Sequence, residues 1–112
     1  MNTERFNILL KHWEERIKNT LEKKGKEYSS EEDMLLNFKQ GAIVSGNTPE
    51  TVLWNYMLKH YISLAGIIKE LEDEGNNPNY DVFIEKTSDI VNYLILLDAL
   101  ICERRENRPL PF

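Results

Sequence analysis

Apolar residues along this chain recur at steps of three and four, and no segment alternates as a strand or hairpin would. Phe6, Leu10, Trp13, Ile17 and Leu21 fall on one face of a helix expected over residues 3–24. Gly25 follows a lysine-rich last turn, so a helix stop is expected there. Ser29-x-x-Glu32 reads as a capping box for a second helix, whose apolar face holds Leu35, Phe38 and Ala42. That helix should end before the turn Ser45-Gly46-Asn47.

Asn47-x-x-Glu50, with Pro49 in the first turn, opens a third helix expected to reach about Glu74. Leu53, Trp54, Tyr56, Met57, Tyr61, Leu64, Ile67, Ile68 and Leu71 make it apolar around most of its circumference. Such a helix is expected to be central or covered by a partner subunit. After the loop Gly75-Asn-Asn-Pro78-Asn, a fourth helix is expected over 80–106, with Phe83, Ile90, Leu94, Leu97 and Ile101 on its apolar face. Two prolines make 107–112 an irregular tail. The expected fold is all-α: a four-helix bundle over 1–106, a single domain.

Composition narrows the function classes. The 112 residues are 41% hydrophobic and 29% charged, which fits a globular domain. A net charge of −5, from 14 basic and 19 acidic residues, argues against duplex nucleic acid as partner and leaves a small anionic ligand open. Cys102 is the single cysteine, so an intrachain disulfide is ruled out; it reads as a small buried hydrophobe in a reducing, cytoplasmic protein. The longest apolar run, Leu94-Ile-Leu-Leu97, is far below spanning length, and Met1-Asn-Thr-Glu-Arg does not open a secretion signal. No membrane partner is expected.

Two polar stripes carry the candidate chemistry. Glu85, Asp89 and Asn92 share one narrow helical sector that Leu96, Ala99 and Leu100 continue. A stripe that faced only water has little reason to turn apolar, so these carboxylates are expected to line a cleft or an interface edge. Asp33, Asn37 and Gln40 share a sector of the second helix. Acids from two helices can hold a hard cation such as Mg²⁺ together with waters and substrate phosphates, which makes Asp33, Glu85 and Asp89 candidate metal ligands. The plainer alternatives are a first-turn carboxylate at Asp33, favoured by the helix dipole, and a surface pair of Glu85 with Lys86.

His60 lies towards the apolar side of the third helix, where a hydrogen-bonded core histidine competes with an acid–base or phosphate-contacting role. Lys59 reads as solvated surface or as a phosphate contact. Lys26 and Tyr28, in a basic turn, are candidates for an anion and for stacking on a base. Neither a phosphate-cradling glycine motif nor a Cys/His zinc spacing occurs.

Four stretches together resemble a group of small phage and prophage proteins associated with nucleotide metabolism, distantly similar to the MazG-type all-α nucleotide pyrophosphohydrolases. They are Lys24-Gly-Lys-Glu-Tyr28, Asp33-Met-Leu-Leu-Asn-Phe38, Met57-Leu-Lys-His60 and Glu85-Lys-Thr-Ser-Asp-Ile-Val-Asn-Tyr-Leu94. The resemblance covers roughly residues 20 to 103. It implies a helical bundle, a homo-oligomer (dimer or higher), Mg²⁺ between acidic helices and a nucleoside triphosphate cleaved to monophosphate and pyrophosphate. In that setting Glu85, Asp89 and His60 are the expected catalytic residues, and Lys26, Tyr28, Asn37, Lys59 and Asn92 the expected nucleotide contacts. One departure stands out: Glu14-Glu15-Arg-Ile-Lys18 has lysine where the family's Glu-Glu-x-x-Glu motif has its third acid. Capture of a nucleotide or cyclic-nucleotide signal without turnover is therefore the alternative, and a helical protein–protein interaction module the third.

Overall fold

The computed structural model describes residues 1–28, 33, 35–73 and 75–105, and for 24–28 the backbone alone. The described residues form four α-helices in chain order: α1 (Thr3–Tyr28), α2 (Leu36–Ser45), α3 (Pro49–Glu70) and α4 (Tyr80–Arg104). The all-helical expectation is met, and among the described residues no strand occurs. The tail 107–112 and the Ser29–Glu32 capping box lie outside the described residues.

α1 does not stop at Gly25. It continues to Tyr28, because one glycine inside a helix costs only about 1 kcal/mol relative to alanine and is not by itself a terminator. The glycines with positive φ are elsewhere among the described residues, at Gly46 and Gly75. Gly46, at φ 72°, ends α2 in the left-handed conformation, and its N–H donates to the Ala42 carbonyl.

α2 is shorter than expected, beginning at Leu36. Asp33 therefore precedes the helix and does not sit in its first turn. Its carboxylate does what a cap would do, accepting from the Leu35 N–H at 2.9 Å. At α3 the cap is Thr48, one residue later than the Asn47 box implies; its hydroxyl accepts from the Thr51 N–H at 3.2 Å. α4 starts where expected, with the Asn79 side chain accepting from the Asp81 and Val82 N–H groups.

α3 and α4 form the main pair, α2 packs on α3, and α1 lies along α4. The buried cluster is Leu35 and Phe38 from the α2 end, Leu53 and Met57 from α3, and Tyr93, Leu96 and Leu100 from α4. Gly41 lets α2 approach α3 closely: a Cβ there would meet Val52 Cγ1 at 3.0 Å.

α3 packs against both α2 and α4 but buries only Leu53 and Met57; Trp54, Tyr61, Ile62 and Ile68 are all more than half exposed, so the chain itself does not cover its wide apolar circumference. One expectation about burial is corrected. The inward face of α4 is rotated from the purely apolar one: Ile90 and Leu97 still pack against the core, but Leu94 and Ile101 are exposed, while Ser88, Asp89, Asn92, Tyr93, Leu96 and Leu100 are buried. Packing of Leu96 and Leu100 against Phe38 and Leu53 decides the rotation of the helix, and the polar residues one and two turns earlier go in with them.

Candidate functional site

α4 sets the site because its buried face changes from apolar to polar towards its N-terminal half. Asp89 is 6% exposed and Asn92 3%. A carboxylate that deep needs partners. His60, on the facing turn of α3, supplies one, its Nδ1 standing 3.3 Å from Asp89 Oδ2. The imidazole also lies against the Tyr93 ring, with centroids 5.6 Å apart. His60 and Asp89 thus form a bridge between α3 and α4, as a half-buried polar residue of the core would, and His60 itself does not line the cleft.

Above Asp89 a cleft of about 400 Å³ opens between α4 and α1. Ile84, Glu85, Ser88 and Asp89 line one wall; Arg16, Asn19, Thr20 and Lys23 line the other. This volume lies in the range that holds a small ligand. Among the described residues each member of the α1 wall carries a hydrogen-bond donor, and its charged members, Arg16 and Lys23, are cationic. The Arg16 Cζ sits over the Trp13 ring, 4.6 Å from its centroid. The Nε and Nη2 atoms of Arg16 are buried without a hydrogen-bond partner among the described residues, as is the Ser88 hydroxyl. Both amide atoms of Asn92 are in the same condition, directly beneath the stripe.

The second polar stripe does not join the first. Asp33 Oδ2 pairs with Lys39 Nζ at 2.7 Å, and Lys39 in turn pairs with Glu103 near the end of α4. Lys39 beside it and the Leu35 N–H hold the Asp33 carboxyl below its usual range, and the two carboxylates push the Lys39 ammonium up. Glu103 lies eighteen residues beyond Glu85, about 27 Å along α4. Among the described residues, which include Asp33, Glu85 and Asp89, no three of His, Cys, Asp and Glu are placed to share a metal ion. A Mg²⁺ site built from those three acids does not fit this arrangement. Asn37 is half-buried on α2, a helix that contributes nothing to the cleft lining.

Of the remaining candidates, Glu85 is exposed at the rim of the cleft and Lys59 is exposed on α3. Lys26 and Tyr28 belong to α1, not to a turn, and their side chains lie outside the described residues. Glu14, Glu15 and Lys18 are exposed and line no part of the cleft.

Sequence reasoning missed the α1 wall. Arg16, Thr20 and Lys23 share a helical face at steps of four and three, which was readable. Their neighbours, however, are ordinary charged surface residues, so nothing marked that face as one that meets α4. Comparison of the chain with protein-family models, with curated proteins and with solved structures finds no match.

Proposed function

We propose that the chain captures a nucleotide in the α1–α4 cleft, its phosphates against α1 and its hydroxyl or amino groups against α4. The observation that carries this reading is the division of the cleft into a cationic wall, Arg16 and Lys23, and an acidic wall, Glu85 and Asp89. A planar guanidinium lying over an aromatic ring suits a phosphate, which it can engage with two parallel hydrogen bonds. Carboxylates on the facing wall accept from ribose hydroxyls or base amino groups. A nucleotide presents both chemistries in one molecule.

Capture is favoured over turnover by the position of Asp33, which is engaged with Lys39 and unavailable to Asp89. Mg²⁺-dependent release of pyrophosphate is the second reading, supported by Glu85 and Asp89 standing one turn apart on the same wall. In that reading the pair alone would hold the ion, with the substrate's own phosphates completing its shell.

Calorimetry of the full chain with nucleoside mono-, di- and triphosphates, with and without Mg²⁺, and chromatography of the products test both. Expected are binding without product and a loss of affinity of roughly tenfold or more in Arg16→Ala. Product formation abolished by Glu85→Gln moves the chain to the second reading. No heat with any nucleotide ends both.

A further inference from the structure

Both walls of the cleft are sides of helices. Residues 16–23 lie well inside α1, and 84–89 lie beyond the first turn of α4. Backbone N–H groups at such positions are engaged in the helices' own hydrogen bonds. A ligand in the cleft therefore meets side chains only, whereas a row of phosphates is ordinarily cradled by a run of free backbone N–H groups. The side-chain donors then set how much anion the cleft can take.

Buried donors without a partner are few. Arg16 Nε and Nη2 lie on one edge of the guanidinium, and neither has an acceptor among the described residues. The same edge of Arg104 grips the two oxygens of Glu50, Nε donating to Oε1 and Nη2 to Oε2. Arg16 presents that fork to the cleft, where it fits one group with two acceptor oxygens side by side. Ser88, on the other wall and 7% exposed, adds a hydroxyl that is also unpartnered among the described residues. Two N–H groups and one O–H suffice for the three free oxygens of a single phosphate. The Lys23 ammonium belongs to a residue two turns further on, about 10 Å along α1.

Charge limits the rest. Among the described residues two cations, Arg16 and Lys23, face two carboxylates, Glu85 and Asp89, so the lining holds no surplus positive charge. In sequence the α1 face continues with Lys26 and Glu27, again one of each sign. A second and a third phosphate would bring negative charge to walls whose cations are already balanced, and would stand against the two carboxylates. We propose that the cleft selects nucleotides with one phosphate group over di- and triphosphates. The Arg16 fork and the Ser88 hydroxyl hold that group, and Glu85 turns longer phosphate chains away. This selectivity rests on the nucleotide reading above, and it runs against the triphosphate that the family resemblance implies.

Calorimetry of the full chain with the 5′-mono-, di- and triphosphates of the four common ribonucleosides, at about pH 8 in EDTA, is the test. The monophosphate is expected to bind roughly tenfold or more tightly than the triphosphate of the same nucleoside. Glu85→Gln removes an exposed carboxylate at the rim, and should tighten the triphosphate several-fold while leaving the monophosphate within about twofold. Arg16→Lys keeps the charge and removes the fork. It should weaken the monophosphate roughly tenfold, with the helix content by circular dichroism unchanged. A triphosphate that binds as tightly as the monophosphate overturns the selectivity and leaves capture standing. Selectivity that survives Glu85→Gln overturns the role of that carboxylate, and a monophosphate indifferent to Arg16→Lys overturns the fork. No heat with any of these nucleotides ends the capture reading and the selectivity with it.

Discussion

Asn92 is the least exposed polar side chain of α4, and its two amide atoms have no hydrogen-bond partner among the described residues. A buried polar group in that condition costs on the order of 1–3 kcal/mol, while an apolar residue of similar shape costs nothing of the kind. Asn92→Leu is therefore expected to raise the midpoint of thermal unfolding by several degrees, read by circular dichroism. If Asn92 serves the cleft, calorimetry on the same variant shows weaker nucleotide binding, a gain in stability matched by a loss of function. His60→Ala goes the other way. It leaves the Asp89 carboxylate without its imidazole partner at 6% exposure, and urea titration should show a loss of about 1–3 kcal/mol. The burial of Asp89 and Asn92 was legible in the sequence, because their sector continues into Leu96 and Leu100 and one helix face must share one environment. The fate of Asp33 was not. Which of several lysines a carboxylate will meet depends on where a chain of ten helical residues points, and no spacing within the sequence carries that information.

Between elements, the molecule is tied at the end away from the cleft. Asp33, Lys39 and Glu103 link α2 to α4, and Arg104 clamps Glu50 in the first turn of α3, with Nη2 donating to Oε2 at 2.8 Å. Arg104 holds the Glu50 carboxyl below its ordinary range, as Lys39 does for Asp33. Carboxyls lowered on folding stabilise fully above their unfolded value, 3.8 for Asp33, and lose that contribution as pH falls through the folded value. Lys39 is raised on folding, so its share is complete below 10.5 and is lost as pH rises through its folded value. Thermal unfolding followed against pH should therefore show a plateau that falls off below about pH 4, and Asp33→Asn should soften that fall. The groups are about one-third exposed, so the Asp33–Lys39 pair contributes no more than about 0.5–1 kcal/mol. The cap of α3 is worth as much: Thr48→Ala should cost about 1 kcal/mol in a denaturant titration. Helix existence was readable from periodicity in all four cases. Helix ends were less so, since Gly25 continues a helix that its composition said it would stop, and α2 begins well after the serines that could have capped it.

At the scale of the whole molecule, the misjudged rotation of α4 and the bareness of α3 have one origin. A stretch such as Leu94-Ile-Leu-Leu97 offers an apolar side in nearly every direction, so periodicity alone cannot say which side meets the chain's own core and which is left for something else. The structure selects Leu96 and leaves Leu94 and Ile95 outside. α1 gives this a mechanical meaning. One rigid rod carries Arg16 and Lys23 at the cleft and Phe6 and Leu10 at the far end, so any tilt that closes the first moves the second. A ligand that drew the two cleft walls together would carry the whole rod with it. Amide hydrogen exchange over residues 3–15 should then slow when a nucleotide binds at Arg16 and Lys23, a change read far from the contacts that cause it.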